Sequence, residues 1–108
     1  MLSFHGGKFV PPYSVMKYGV VGLTKSFANE LAEYGIQVNA IAPGYVKTAN
    51  TAPIREDEKR NAEILARIPA ARWADPADLM GMVVFLSSKA SDYMNGSVVA
   101  IDGGWLSR

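Results

Sequence analysis

The chain has 108 residues, eleven Lys and Arg against ten Asp and Glu (net charge +1), and 49% apolar residues, enough for a single domain with a modest core but short for a dinucleotide-binding enzyme. No basic run stands out, so neither nucleic acid nor an anionic membrane is expected as a partner. The absence of cysteine and the single histidine exclude disulfides, thiol catalysis and nearly every zinc arrangement, and no metal is expected.

Met1 to Pro12 carries Gly6-Gly7 and Pro11-Pro12 and reads as a loop. It lacks the charged and apolar regions of a signal peptide, and no apolar run in the chain is long enough to span a bilayer, so a cytoplasmic protein is the simplest expectation. His5, alone in a glycine-rich loop, reads as solvated. A helix then opens at Tyr13-Ser14-Val15-Met16-Lys17 and runs to about Tyr34. Pro11 and Pro12 disfavour helix before Tyr13, and Gly35 supplies the left-handed position that ends one. Val20, Leu23, Phe27 and Leu31 recur at helical spacing, flanked by Val21 and Ala28, and this face is expected to be buried. Gly19 and Gly22 cost roughly 1 kcal/mol each against Ala unless a neighbouring helix or subunit approaches the backbone.

Tyr13 and Lys17, four residues apart, share one face of that helix. A free phenol, with a pKa near 10, is a poor acid or base at neutral pH, and a fixed cation beside it favours the ionised form. The pair is therefore a candidate for proton transfer. Alone it is a weak signal, since Tyr and Lys are common at exposed helix starts.

Ile36 to Ala42 mixes β-branched and small residues over the length of a buried strand, and a helix feeding a strand through one glycine suggests an α/β layer with parallel strands. Pro43-Gly44 ends the strand at its carboxyl edge, where open α/β sheets place their ligands. The loop Tyr45 to Pro53 is polar and flexible in character, as a lid would be. Arg55 to Arg67 is a charged helix with a thin apolar stripe of Ile54, Ala62, Leu65 and Ile68. Glu56, Asp57 and Glu58 read as a solvated helix start rather than catalytic carboxylates. Asp75-Pro76-Ala77-Asp78 starts a third helix, whose buried face is Leu79, Met82, Val83, Phe85 and Leu86. Tyr93 to Gly96 turns the chain into a second strand, Ser97 to Ile101, and Asp102-Gly103-Gly104 ends it. Trp105-Leu106 leaves an apolar tail that needs a protein surface to cover it.

Three stretches in this order, Tyr13-x-x-x-Lys17, Asn39-Ala40-Ile41-Ala42-Pro43-Gly44 and Asp102-Gly103-Gly104, resemble the C-terminal half of the short-chain dehydrogenase/reductase family. The resemblance covers essentially the whole chain. Ala42 to Thr48 and Ile68 to Trp73 look most like the sugar-acid members, of the 2-deoxy-D-gluconate 3-dehydrogenase type. It implies an α/β fold, the C-terminal portion of a Rossmann-type doubly wound parallel sheet with three helices and two core strands, residues 1–108 forming one partial domain without the N-terminal βαβ half. It further implies that Tyr13 is the general acid/base and that Lys17 holds the nicotinamide ribose. Pro43 and Gly44, Val46 by its backbone and Thr48 by its side chain would flank the nicotinamide and pyrophosphate. The implied reaction is hydride transfer between NAD or NADP, NAD being favoured, and a secondary alcohol or ketone of a small sugar acid. A homo-oligomer through the Tyr13–Tyr34 helix face is expected with it.

The family's glycine-rich phosphate loop, its Asn-Ala-Gly motif and a second catalytic Asn have no match here, and Gly6-Gly7 lacks the spacing. The slot for the active-site serine falls just before Met1, with Ser3 nearby but out of register. The alternative is therefore a noncatalytic remnant that at most associates with complete relatives.

Overall fold

A computed structural model describes residues 11–107. His5, Ser3 and Gly6-Gly7 lie outside the described residues, as does most of the segment read as an N-terminal loop.

Helix α1 spans Pro11–Leu31 and tightens into a 3-10 turn, Ala32–Tyr34, before Gly35 at φ 71° ends it. Pro11 and Pro12 are inside the helix rather than ahead of it. A first-turn residue has no intrahelical partner for its N–H, so proline is accommodated there without loss. The expectation of a buried Val20-Leu23-Phe27-Leu31 face is corrected: Leu23 is 55% and Phe27 45% exposed, and Val20 is equally open. The side that meets the rest of the chain carries small residues, Thr24 and Ala28, each 6% exposed. Thr24 also returns its hydroxyl to the Val20 carbonyl at 2.8 Å, which leaves its methyl for packing. Gly19 and Gly22 face open space, with nothing within 4 Å of where a Cβ would stand.

Strand β1, Ala40–Pro43, pairs in parallel with strand β2, Val98–Ile101, in the register Ala40 with Val98 through Pro43 with Ile101. Both strands are shorter than the sequence suggested. Over residues 36–39 the backbone bonds go elsewhere than a ladder: the Ile36 N–H donates to the Leu31 carbonyl at 3.3 Å, the Val38 N–H to Asn95 Oδ1 at 2.8 Å, and the Val38 carbonyl accepts the Gly96 N–H at 2.8 Å. Pro43 closes the strand from within, and the following Gly44 N–H still reaches the Ile101 carbonyl at 2.8 Å.

The expected single helix from Arg55 to Arg67 is two helices, α2 (Ala52–Glu56) and α3 (Glu58–Arg67). Asp57 leaves the helical conformation and accepts from the Arg60 N–H at 3.0 Å, capping α3, so the acidic trio does supply a helix start, through one of its members. Asp75 and Asp78 form a reciprocal capping box over the 3-10 turn Pro76–Leu79, which leads into α4 (Met80–Leu86). Leu79, Met82, Phe85 and Leu86 are half-buried as expected, whereas Val83 is exposed.

The core gathers under the carboxyl ends of the strands. Ile68, Trp73 and Trp105 are buried there, and Tyr45 lies between the two indoles, edge-on to Trp73 at 5.3 Å and tilted against Trp105 at 4.8 Å. The Trp73 indole N–H, which needs an acceptor once buried, donates to Asn61 Oδ1 at 2.7 Å and so ties α3 to the cluster. The tail at Trp105 is thus covered by its own chain, with the Arg67 guanidinium 4.1 Å over the ring. Gly103 and Gly104, at φ 63° and 88°, let the chain turn under Ile68 and Pro69, where a Cβ on either would stand 2.9 Å from a side-chain carbon.

Candidate active site

Helix α1 delivers Tyr13 and Lys17 from its first two turns, and β1 delivers Pro43 and Gly44 from its carboxyl end. The structure brings all four to one cavity of about 230 Å³, lined in addition by Val20, Val21, Ala40, Ile41, Ala42 and Val98. The Lys17 ammonium stands 5.1 Å from the centre of the Tyr13 ring. The helical spacing that put them on one face therefore also puts cation and phenol side by side.

Gly44 is where the wall admits no side chain, since a Cβ would stand 2.6 Å from Asp102 Cα. Asp102 is fixed in turn, its carboxylate accepting the Gly104 N–H at 2.9 Å and the Leu106 N–H at 3.0 Å. The end of β1 and the turn after β2 are thereby locked together beneath the cavity.

Val46 and Thr48 do not line this cavity. They lie on the loop beyond Gly44, which is more tied down than its polar sequence suggests. Val46 bridges Ala74, and its carbonyl accepts the Thr51 hydroxyl at 2.8 Å. Lys47 pairs with Asp75 at 3.0 Å. Thr48 caps the 3-10 turn Ala49–Thr51 reciprocally with Thr51, and its carbonyl receives Arg55 Nη2 at 3.2 Å. The backbone of Val46 and the side chain of Thr48 are therefore held in place, next to rather than within the Tyr13 cavity.

A second cavity, of about 190 Å³, opens beneath the strand ends between Tyr45, Ile68, Arg72, Asp78 and Asp102. Two of its charged groups, Arg72 and Asp78, pair with each other, and the third, Asp102, holds the turn after β2. Arg72 grips Asp78 through both terminal nitrogens, at 2.6 and 3.0 Å. That guanidinium, helped by the Asp75 backbone N–H, holds the Asp78 carboxyl at about 2, well below the usual carboxylate range. Among the described residues no group of His, Asp or Glu is arranged to hold a metal ion, and no helix is long and apolar enough to cross a membrane.

The valines at 20 and 21 and the strand residues 40–42 were read from the sequence only as core, yet they form the cavity wall. The signal was present in the double valine one turn beyond Lys17. The ties made by Asn39, quoted only as the start of a motif, and by Asn95, read only as part of a turn, were not foreseen, because a side-chain amide between two distant segments has no local pattern.

The sequence family described as enoyl-(acyl carrier protein) reductase matches residues 2–106. A 2-dehydro-3-deoxy-D-gluconate 5-dehydrogenase from Bacillus subtilis is 66% identical over the whole chain, which covers 42% of that protein. A crystal structure described as a candidate 2-deoxy-D-gluconate 3-dehydrogenase from Agrobacterium tumefaciens, with bound NADP, superposes with a TM-score of 0.96 at 57% identity, over 99% of this chain and 44% of that one. A gluconate 5-dehydrogenase from Burkholderia cenocepacia, in complex with NADP and tartrate, gives a TM-score of 0.96 at 36% identity, over 99% of this chain and 42% of that one. The chain thus spans about two-fifths of the length of the relatives it matches. With its helix-borne Tyr13 and Lys17, its parallel strands and this match from end to end, the chain belongs to the short-chain dehydrogenase/reductase family and corresponds to the C-terminal portion of that family's Rossmann-type fold.

Proposed function

We propose that the chain, as one domain over residues 1–108, supplies the proton-transfer half of an oxidoreductase active site. The reaction moves a hydride between NAD or NADP and a secondary alcohol or ketone of a small sugar acid. The observation that carries this reading is the pairing of Tyr13 and Lys17 on one helix face over a cavity that Pro43 and Gly44 close. Sugar-acid specificity is supported by the relatives: two are described as dehydrogenases of gluconate derivatives, and a third holds tartrate, itself a hydroxy acid, together with NADP.

The cavity fits one end of a dinucleotide and not the whole, because 230 Å³ is below the roughly 300–1,000 Å³ of a complete ligand pocket. Its chemistry suits the nicotinamide ribose: Lys17 offers a cationic donor, the Tyr13 hydroxyl a donor and acceptor, and Val20 and Val21 an apolar wall. When bound, the nicotinamide supplies the hydride acceptor or donor. In the oxidation direction Tyr13 takes the proton of the substrate hydroxyl as the carbon–hydrogen bond breaks, and in reduction it returns that proton to the carbonyl oxygen. Lys17, as a cationic donor beside the Tyr13 ring, would hold the ribose. Pro43 and Gly44, with the Val46 backbone and Thr48 side chain beyond them, bound the nicotinamide side. NAD and NADP both stay as candidates, NAD as the sequence expectation and NADP as the molecule in two solved relatives.

The 108 residues alone are not expected to turn over. The exposed Leu23-Phe27 face supports self-association along the Tyr13–Tyr34 helix, and equally the second reading, in which the chain only associates with complete relatives. A cytosolic setting suits a cysteine-free chain acting on small acids. The test joins the chain to the N-terminal portion of its Bacillus subtilis relative and follows NADH or NADPH formation with gluconate and 2-deoxy-D-gluconate. Cofactor-dependent turnover that Tyr13→Phe abolishes is the expected result. A soluble, folded hybrid inactive on every sugar acid with either cofactor would leave association as the function.

A further inference from the structure

Helix α1 carries the catalytic candidates at one end but is gripped at the other. At its buried Ala28 the turn before β2 comes up against the helix. Asn95 Nδ2 donates to the Ala28 carbonyl at 2.9 Å, while Asn95 Oδ1 accepts the Val38 N–H at 2.8 Å. One side chain therefore joins α1, the lead into β1 and the lead into β2. Gly96 follows at φ 71°, and a Cβ there would already touch the Ala28 methyl at 3.4 Å, so both residues are small where the backbones meet. Gly96 N–H closes on the Val38 carbonyl at 2.8 Å. Asn39 adds the reverse tie, its amide donating to the Met94 carbonyl at 2.8 Å and accepting the Ser97 N–H at 3.0 Å.

The lever is long. At 1.5 Å rise per residue, Tyr13 stands roughly 22 Å along the axis from Ala28, so a tilt of about 3° about the Asn95 contact moves it by about 1 Å. A displacement of that size is enough to cost on the order of 100-fold in a proton-transfer or hydride step.

We propose that the Asn95-Gly96 turn is the docking point that aims α1, and that Asn95 is a positioning residue for Tyr13 and Lys17, acting through the Ala28 carbonyl. The functional half of this statement rests on the acid/base reading of Tyr13; the docking half does not.

Asn95→Asp separates the two bonds. It keeps an acceptor for the Val38 N–H but sets an oxygen, instead of a donor, against the Ala28 carbonyl. The cysteine-free chain permits clean spin labelling at the exposed positions Met16 and Ala100, with Lys59 and Ala100 as a control pair. Pulsed dipolar distances should show the 16–100 distribution broadened and displaced by several ångströms in Asn95→Asp, with 59–100 unchanged. An unchanged 16–100 distribution overturns the docking proposal. Loss of both distances overturns it too, since the turn would then hold the fold rather than aim the helix; Asn95→Ser, which keeps a donor and an acceptor on a shorter side chain, repeats the test with a milder change. In the joined enzyme, Asn95→Asp should lower kcat on the order of 100-fold and, because Lys17 moves with Tyr13, weaken cofactor binding as well. A wild-type hybrid without turnover would sink the acid/base reading while the distances still decide the docking.

Discussion

Glycine-to-alanine substitution should act in opposite directions at Gly44 and Gly22, and the structure gives both magnitudes. At Gly44 the new Cβ would stand 2.6 Å from Asp102 Cα, 3.0 Å from its Cβ and 3.1 Å from its carbonyl oxygen. Carbon atoms pack best at about 3.5–4.0 Å, so the ends of β1 and β2 must part by about 1 Å. None of these three atoms is a flexible side-chain tip. Parting them stretches the Gly44 N–H bond to Ile101 O and pulls on Asp102, which holds the N–H groups of Gly104 and Leu106. Overpacking of this kind costs about 1–3 kcal/mol and a weakened hydrogen bond about 1 more, against about 0.4–1 kcal/mol gained from a stiffer unfolded chain. The net expectation is a loss of about 1–4 kcal/mol. Urea unfolding followed by Trp73 and Trp105 fluorescence reads it, and the midpoint should fall by about 1 M for an m value of 1–3 kcal/mol/M. A Gly44→Ala midpoint equal to or above the wild type would show that the strand ends are not locked as described.

At Gly22 nothing stands within 4 Å, so Gly22→Ala should raise stability by about 0.5–1 kcal/mol through helix propensity. It should also weaken self-association measured by sedimentation if a second helix packs there; unchanged association would move the interface elsewhere. Tyr13→Phe in the joined enzyme should cut turnover about 10²- to 10⁴-fold while leaving cofactor affinity near native, and near-native turnover would return Tyr13 to an aromatic at a helix start. Asp78, held near 2 by Arg72 against an ordinary 3.8, has a depressed folded-state value. Its contribution is complete above about pH 4 and fades as pH falls toward 2. Urea midpoints across that window should fall less in Asp78→Asn than in wild type, and parallel declines would rule the pair out as an acid-sensitive contact.

How much the sequence told depended on the range of each interaction. Gly35, Asp75, Asp78 and the Asp102-Gly103-Gly104 turn were legible because each works within four residues, where capping and positive φ leave a residue-type signature. The α/β layer and the sharing of one face by Tyr13 and Lys17 followed from periodicity. The break at Asp57 was not legible, since a helix-compatible sequence gives no sign that its cap bond to Arg60 will outweigh continuation. The burial of α1 was misread for a different reason. Periodicity shows that a helix has an apolar stripe, not that the described residues supply a surface for it, and here Thr24 and Ala28 make the contact instead. The loop from Tyr45 to Thr51 looked free because its restraints, Ala74, Asp75 and Arg55, lie farther along the chain.

The bonds that join the two strands all reach far along the chain. The Asn39 ties span 55 and 58 residues, the Val38 tie 57, and the Asn95 tie to α1 67. Closing a loop of that size costs on the order of 3–4 kcal/mol of chain entropy before the first bond compensates. No two-residue turn can nucleate this sheet, so local helices come early and the strand pair late, as one cooperative step in which both asparagines engage together. The same logarithm protects the connection between the strands. Doubling its length costs only about 0.6 kcal/mol, so an insertion at the exposed Asp57 break should be tolerated, while trimming the Asn95-Gly96 turn by one residue would misregister every long-range bond at once.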